Sequence, residues 1–522
     1  MSFARSLFTV SSLTVLSRVA GFVRDTLTAT FLGAGPVADA FFVAQRLPNL
    51  FRSLFAEGAF SSAFVPLYTA EQERHGPEAA QRFAGHALAL LLAILLPFSI
   101  LVMMFMPQVM LQLAPGFEKS PEKYRLAVDF STITFPYLAL ISVTALQTGV
   151  LNAQGKFGPG AAAPIAFNIV LIIAMFAANL LHFDMGYTLA WAVTASGIVQ
   201  CGWLMISCYR AKVSIPMLWP HLTPASKRLF RRIGPGAIGA GATQINLLVS
   251  TILASTLPTG AVSYLFYADR VNQLPLGIVG VAVATTLLPL LARYVAAGKE
   301  DNVRHYTSRA IEFCLVLGLP STLGLILAAQ PIIQTLFQHG AFSATDATAT
   351  AKTLAAYSLG IPAFLLVKVF ASSFFARHDT ATPVKIAVIA MIVNVILSVT
   401  LLGPMQHIGI ALANSSAVWT NAMLLFIQLR RKHGAIGDAK LAKRLPRLFL
   451  CATLMGGVTW VLSLATENWF NASHLSCELL GLAVIIGGSG LIYGLSLQLT
   501  GAMRFQDLLA ILKRKPTIGA DI

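Results

Sequence analysis

Residues 135–172 read FPYLALISVTALQTGVLNAQGKFGPGAAAPIAFNIVLI, and residues 361–397 read IPAFLLVKVFASSFFARHDTATPVKIAVIAMIVNVIL. Each stretch contains two apolar runs joined by a short polar segment, and apolar runs of about 20 residues cross a bilayer as α-helices. The two stretches also resemble each other in the spacing of proline and asparagine. This pattern predicts a helical membrane protein with an internal repeat.

Three residue pairs define the repeat: Pro136 with Pro362, Asn168 with Asn394, and Pro66 with Pro289. The first two pairs share an offset of 226 residues, and the third has an offset of 223. Helices 1–6 would therefore recur as helices 7–12, and because six is even, both halves have the same orientation. A parallel repeat is a common plan for transporters that rock one lobe against the other. Chance recurrence of proline and asparagine in apolar helices is the alternative.

The composition agrees with an integral membrane protein. Of 522 residues, 56% are hydrophobic and 11% are charged, whereas soluble domains have about 25% charged residues. The mean hydropathy is +0.73. We predict an all-α fold with fourteen transmembrane helices. Their predicted bounds are 3–30, 36–70, 83–107, 124–154, 159–181, 186–209, 228–256, 262–293, 309–329, 346–376, 384–402, 406–430, 447–465 and 475–500.

The loop charges predict the orientation. Lys and Arg are found after helices 2, 4, 6, 8, 10 and 12 and in the C-terminal tail. The connections after helices 1, 5, 7, 9, 11 and 13 carry none, and the connection after helix 3 has only Lys119 and Lys123. Cytoplasmic loops are enriched in these cations, so both termini are predicted to be cytoplasmic.

The predicted lobes are residues 1–210, with helices 1–6, and residues 211–432, with helices 7–12. Residues 433–522 contain helices 13 and 14, which lie outside the repeat, and a basic cytoplasmic tail. The net charge of +16 is spread over short loops, so we expect contact with anionic membrane lipids and no nucleic-acid binding. No nucleotide-binding loop, metal motif or Cys/His cluster is present in the sequence, and no cofactor is predicted.

Charged residues inside the apolar segments are the candidate functional residues, because a cation in hydrocarbon costs roughly 2.5–3.5 kcal/mol even on a lenient scale. Four arginines, from both lobes, are the predicted substrate-binding group: Arg18, Arg24, Arg52 and Arg270. Four residues are predicted gating or charge partners: Asp25, Asp39, Asp269 and Gln273. Four more polar residues lie on the same helices or on helix 10: Arg46, Asn49, Glu57 and Lys368.

Arginine suits an anion-binding cavity. Its guanidinium stays charged when desolvated and grips phosphate oxygens in a bidentate manner, so several arginines match a diphosphate. The nearby aspartates could pair with the arginines in the empty site or hold a gate shut. The alternative is that each Arg–Asp pair is a packing ion pair that fixes helix register.

Three motifs resemble the bacterial lipid II flippase MurJ (MviN) family. The run SSLTVLSRVAGFVRDTLTATFLGAGPVADAFFVAQRLPNLFRSLFAEGAFSSAFVPLY, from Ser11, is similar to the N-terminal signature of that family. YLFYADRVNQLPLGIVGVAVATTLLPLL, from Tyr264, resembles its helix 8 region, and FFARHDTATPVKIA, from Phe374, its helix 10–11 junction. The resemblance covers nearly the full chain and implies membership of the multidrug/oligosaccharidyl-lipid/polysaccharide exporter superfamily, whose members have two six-helix lobes.

The resemblance also implies roles for individual residues. It places the central-cavity arginines, which bind the diphosphate and sugar-peptide head group, on Arg18, Arg24, Arg52 and Arg270, with Asp39 as an associated acidic position. Helices 13 and 14 would shape a groove for the undecaprenyl tail. One departure is Gln273, where family members often have Glu. A carboxylate there could carry a proton, whereas Gln can only donate and accept hydrogen bonds.

The expected function is therefore a lipid II flippase, not an enzyme, in the bacterial cytoplasmic membrane. It would move the precursor from the inner to the outer leaflet by alternating access, driven by membrane potential or by a gradient of an undetermined ion. Lipid II, membrane lipids and the cell-wall synthesis machinery are the expected partners. Export of another polyprenyl-linked glycan or of drugs is the alternative, and an integral-membrane transferase acting on polyprenyl phosphates is a more distant one.

Overall fold

The structure is a computed structural model, and it describes residues 3–52, 59–470 and 474–502. Within these ranges the regular structure is entirely helical, with one 3₁₀ turn at Pro115–Lys119. The first nine helices are α1 (Phe3–Leu32), α2 (Pro36–Arg52), α3 (Ala59–His75), α4 (Pro77–Met104), α5 (Met106–Leu113), α6 (Pro121–Thr134), α7 (Tyr137–Ala153), α8 (Gly158–Leu181) and α9 (Met185–Arg210).

The remaining helices follow in chain order. They are α10 (Pro224–Ser255), α11 (Ala261–Ala296), α12 (Glu300–Leu327), α13 (Ala329–Phe337), α14 (Ala344–Ser358), α15 (Ile361–Phe375), α16 (Ala381–His433), α17 (Ala439–Ala465), α18 (Glu467–Phe470) and α19 (Leu475–Leu499). Of the helices in the described part of the chain, nine have the length and apolar composition to cross a membrane. The all-α membrane class is confirmed, and the count of fourteen spans stays a prediction.

The predicted spans 1, 2 and 8 coincide with α1, with α2 and α3, and with α11, the helices that carry most of the charged candidates.

Two predicted spans are each found as one apolar span, at Pro121–Ala153 and Ala344–Phe375, but with an interruption that was not predicted. The predicted helices 124–154 and 346–376 are each interrupted, because α6 ends before Pro136 and α14 ends before Pro362. Proline has no N–H to donate, so a helical hydrogen bond is lost at each position, although Phe135 and Gly360 before the prolines keep right-handed helical dihedrals. Helices such as α12 and α17 also begin earlier than predicted, since hydropathy marks the bilayer crossing and not the polar turns outside it.

The helix α16 consists of two helices that meet at a kink, as predicted. Gln406 has φ 50° and ψ −130°, outside the helical region, and Pro404 precedes it. Gly409 follows the kink, and a Cβ there would lie 2.5 Å from the carbonyl oxygen of Leu401. The close return of the chain therefore requires glycine at this position.

Packing divides the chain into two compact units. The first comprises Met1–Ser263 and His339–Ser343, and the second comprises Tyr264–Gln338 and Ala344–Ile522. In the first unit α1 and α9 pack on α8, α2 packs on α6, and α10 packs on α3. In the second unit α15 packs on α12 and α16, and α17 packs on α12 and α19. The predicted limits at 210 and 432 follow the repeat instead of the packing, and they stay predictions.

An ion network attaches α17 to the second unit. Glu312 on α12 is buried and accepts hydrogen bonds from Arg309 and Arg444. Arg309 also donates to both carboxylate oxygens of Asp438, each at 2.7 Å. Asp438 in turn accepts from the backbone N–H of Leu441 at 2.7 Å and so caps α17. The pair α17 and α19 is thus fixed to α12 by charge as well as by apolar contact.

Removing the charge of Glu312 should destabilise the second unit, because it leaves two arginine side chains without their buried partner. Breaking a buried pair costs roughly 3–5 kcal/mol. We expect Glu312→Gln to lower the free energy of unfolding by about 3 kcal/mol, measured as thermal unfolding in detergent. Glu73→Gln, at an exposed position, is the matched control. Equal melting curves for the two variants would contradict the assigned role.

The loop between α15 and α16 gives a pH-dependent prediction. Hydrogen bonds from the Lys432 ammonium and from the Thr382 backbone N–H lower the pKa of Asp379 from 3.8 to about 2. A lowered pKa in the folded state stabilises the fold above the ordinary pKa, and this contribution is lost as the pH falls through the folded value.

Asp379→Asn should therefore destabilise the protein at pH 7 by about 1 kcal/mol, after allowance for solvent screening of a partly exposed pair. The difference from wild type should shrink as the pH is lowered from 4 towards 2. Thermal unfolding across this range measures it, with the exposed Asp301→Asn as control. A difference that does not change with pH would show that Asp379 acts through packing alone.

Candidate functional site

In the middle of α1, Arg24 is held in a defined orientation. Its Nε and Nη2 atoms donate to Oδ1 of Asp25 at 3.0 and 2.6 Å, and its Nη1 atom donates to Oδ1 of Asn168 at 3.0 Å. The guanidinium lies 5.5 Å from the ring centroid of Phe167. The guanidinium has five N–H donors. Three of them are thus engaged, and the described part of the chain gives no partner to the other two.

Asn168 on α8 connects Arg24 to the α1 backbone. Its Nδ2 atom donates to the carbonyl oxygen of Ser17 at 3.1 Å while its Oδ1 accepts from Arg24. Gly21 lies between these two contacts, and a Cβ there would be 3.5 Å from Nδ2 of Asn168. Asn168 is buried, so one amide side chain satisfies both a backbone carbonyl and a cation inside the α1–α8 interface.

Arg18 differs from Arg24. It lies nearly two turns earlier on α1, its side chain is exposed, and no ion pair or hydrogen bond involves it within the described residues. A cation on a membrane helix with no protein partner is expected to face water or an anion. Of the candidate arginines whose side chains the structure describes, Arg18 is thus the one most open to a ligand.

The α2 candidates are described in part. Arg46 is half-buried and Asn49 is exposed, and both make contacts with neighbouring groups. Arg52 is the last residue of α2. Its side chain, and all of Glu57, lie outside the described residues. Their predicted roles stay predictions.

Asp39, in the first turn of α2, is the centre of a second polar cluster. It is fully buried, and its Oδ2 atom accepts from Nζ of Lys123 at 2.6 Å and from the backbone N–H of Gly260 at 2.8 Å. Its Oδ1 atom accepts from the N–H of Ser263 at 2.9 Å and from the Ser263 hydroxyl at 2.6 Å. The Lys123 ammonium also lies 4.2 Å from the ring centroid of Phe117.

Two connecting segments are tied to the first unit at this end of the helices. One is the α10–α11 connection, which Asp39 holds through Gly260 and Ser263. The other is residues 339–343, where the N–H of Ala341 donates to the carbonyl oxygen of Thr30 at 2.8 Å. Gly340 has φ +61°, and a Cβ there would lie 2.4 Å from the same oxygen. Backbone approach this close requires glycine.

The candidates of the second unit are on α11 and α15. Gln273 donates from Nε2 to Oδ2 of Asp269 at 2.5 Å, one helical turn away. The Arg270 guanidinium lies 4.7 Å from the ring centroid of Phe266, and the exposed Lys368 ammonium lies 5.2 Å from that of Phe364. Both cations therefore have aromatic neighbours one turn earlier on their own helix.

The structure brings together some of the predicted residues and adds others. Asp25 pairs with Arg24, although its seven-residue spacing from Arg18 placed it on one helix face with that arginine. The contacts of Asp39 described above are to Lys123, Gly260 and Ser263. Lys123 was visible in the sequence as one of two cations on an otherwise uncharged side. No group of three or more His, Cys, Asp or Glu side chains that could hold a metal ion occurs among the residues that the structure describes.

Known proteins share this sequence and fold. The family model described as lipid II flippase MurJ matches residues 28–479. A probable lipid II flippase MurJ of Rhizobium meliloti is 43% identical over 502 residues, which cover 94% of this chain and 93% of the relative. The lipid II flippase MurJ of Burkholderia cenocepacia is 34% identical over 438 residues, which cover 83% of this chain and 84% of that relative.

Solved structures agree. A lipid II flippase MurJ in an inward closed conformation superposes with a TM-score of 0.78 at 27% identity, covering 96% of this chain and 99% of the other. An inward-facing multidrug resistance MATE transporter of the MOP superfamily gives a TM-score of 0.70 at 13% identity, covering 82% and 98%, and shows the shared fold. With the family model matched over most of its length, this chain belongs to the lipid II flippase MurJ family, a family of transporters and not of enzymes.

Proposed function

We propose that this protein is a lipid II flippase of the bacterial cytoplasmic membrane that works by alternating access. The observation that carries the proposal is the family match over residues 28–479, which includes Arg270 on α11, together with a relative that aligns over 94% of this chain. Arg18 and Arg24 supply the chemistry, because arginine binds phosphate oxygens in the bidentate manner that a diphosphate requires.

Arg24 and Arg18 would share the work of anion binding. Asp25 and Asn168 hold the Arg24 guanidinium in place before a ligand arrives, which lowers the ordering cost of binding. Arg18 has no protein partner in the described residues, and a diphosphate would supply the missing countercharge. A ligand shifts a conformational equilibrium only by its differential affinity for the two states, and neutralising these cations would provide that difference.

Asp39 would act as a latch. It lies at the helix ends that the loop charges predict to be on the outer side of the membrane. Its four donors hold the α10–α11 connection against α2 and α6, so opening this end has to break buried, charge-assisted hydrogen bonds. Alternating access needs a closure of this kind, strong enough to prevent leakage and local enough to be reversed.

The remaining parts of the proposal follow from the charge pattern and the family. Both termini would lie in the cytoplasm, lipid II would move from the inner to the outer leaflet, and membrane potential or an ion gradient would supply the energy. The cell-wall synthesis machinery would provide and use the lipid. Export of another polyprenyl-linked glycan relies on the same anion chemistry, so the assay below must score lipid II itself.

The arginines of α1 should be required for transport. In cells depleted of their own flippase and complemented with this protein, we expect Arg18→Ala and Arg24→Ala to reduce lipid II in the outer leaflet by at least about tenfold, the loss expected when a charge-assisted contact of about 1.5–3 kcal/mol is removed. Arg82→Ala, at an exposed cation on α4, should transport normally and serves as the control.

The asparagine that positions Arg24 gives a finer test in the same assay. Asn168→Asp keeps the acceptor and adds a charge that holds Arg24 more tightly, whereas Asn168→Leu removes it. We expect reduced transport from both variants at normal protein levels. Wild-type transport from the arginine variants would overturn the anion-binding role, and failure of the wild-type protein itself would point to another glycan as substrate.

Weakening the latch should expose the outer end. In an Ala261→Cys background, where residue 261 is buried beside Gly260 and Ser263, we expect Asp39→Asn to raise labelling by an impermeant maleimide several-fold, because a neutral amide holds the Lys123 ammonium and the two N–H donors less strongly. Asp129→Asn, whose carboxylate accepts from Tyr187 on the same side of the first unit, is the control. Unchanged labelling in Asp39→Asn would show that the cluster serves packing and not gating.

A further inference from the structure

The loop between α9 and α10, residues 211–223, is fixed to the protein although it has no regular structure beyond a turn at its start. The N–H of Val213 donates to the carbonyl oxygen of Cys208 at 3.0 Å. On α4, a Cβ at Gly85 would lie 2.4 Å from the carbonyl oxygen of Pro216 and 3.1 Å from Cδ1 of Leu218. These contacts fix the orientation of the loop, so the side chains that do not contact α4 form a defined outer face.

That other face is apolar and open. Met217 and Trp219 alternate with the residues that contact α4, as expected of an extended segment, and they are 83% and 89% exposed. Leu222 is also exposed. A large indole that the fold holds away from its own core needs another apolar environment, because exposed aromatic surface of this size is costly in water.

The face continues an apolar stripe on α9. Trp191, Ile198, Met205 and Tyr209 are all exposed, and their spacings of seven, seven and four residues place them along one side of the helix. In a helix that crosses the bilayer, such a stripe faces lipid. The loop begins two residues after Tyr209, so Met217 and Trp219 lie within ten residues of the lipid-facing end of α9.

The charges around the loop are of one sign. Between Asp184 and Asp269 the sequence contains no acidic residue. Six exposed cations flank the loop: Arg210, Lys212, Lys227, Arg228, Arg231 and Arg232. Arg228 pairs with Glu71 at 3.4 Å, and in the described portion of the chain no carboxylate pairs with the other five. The surface is thus suited to anions.

We propose that this loop is a membrane-interface anchor that binds anionic phospholipids of the cytoplasmic leaflet. Trp219 and Met217 lie at the level of the head groups and glycerol, where tryptophan is favoured, and the flanking cations bind lipid phosphates. Continuity with the α9 stripe favours a lipid surface over an acidic protein. The anchor fixes the depth of the end of α9 and the start of α10, whatever substrate the protein carries.

The test uses the full-length protein in nanodiscs with lipids brominated near the glycerol. The Trp219 signal is isolated as the difference in fluorescence between wild type and Trp219→Phe, with Trp191→Phe as the matched control for a lipid-facing indole on α9. We expect Trp219 to be quenched by the brominated lipid and protected from aqueous iodide. Replacing anionic by zwitterionic lipid should weaken that quenching about twofold, as should Arg231→Gln with Arg232→Gln, while Trp191 is unaffected.

Two outcomes would overturn the anchor. Quenching of Trp219 by iodide and not by brominated lipid means that the loop faces water or an acidic protein partner. Quenching that is the same in anionic and zwitterionic discs means that the cations play no part. If Trp219→Phe is poorly folded, hydrogen exchange of residues 213–222 in the unsubstituted protein decides the question, because anchoring predicts slower exchange in anionic discs.

Discussion

The cost of a charge in hydrocarbon governs this structure. A charged side chain on a membrane helix must find a partner, reach water or bind a ligand, because the bilayer offers it no solvation. Asp39 receives four donors, and Glu312 receives two arginines. Arg24 is shared between a carboxylate and an amide. Arg18 is exposed and has no partner in the described residues. Its charge must therefore be stabilised by water or by a ligand.

The two halves of the predicted repeat stabilise the polar groups of their first helices in different ways. At the offset of 226 residues, Arg24 and Asp25 on α1 correspond to Ser250 and Thr251 on α10. These hydroxyls donate to the carbonyl oxygens of Asn246 and Leu247 in their own helix, so they need no partner from outside. The first half therefore retains an ion pair where the second half has two self-satisfied neutral groups. This asymmetry agrees with the proposed binding of one anionic head group, since a second ion pair would add cost without a second ligand.

The sequence was sufficient for the class of fold, most helix positions and the charged candidates, because bilayer thickness and charge cost act on composition directly. It was not sufficient to identify which residues contact each other across the fold. Asp39 was expected to pair with an arginine or to hold a gate shut, and its described donors are Lys123, Gly260 and Ser263 from distant segments. Asn168 was noted only as a repeat position, since nothing local shows that α8 packs on α1. Contacts between distant segments depend on how helices cross, and periodicity along one helix carries no information about that.

Gln273 stands where the sequence resemblance led us to expect glutamate. It donates a hydrogen bond to Oδ2 of Asp269 one turn earlier. A glutamate in its place would set two carboxylates one turn apart, and they would repel unless one of them took up a proton. An amide at this position removes that requirement. The chain therefore has one carboxylate beside Arg270 on α11, where a glutamate at position 273 would give two.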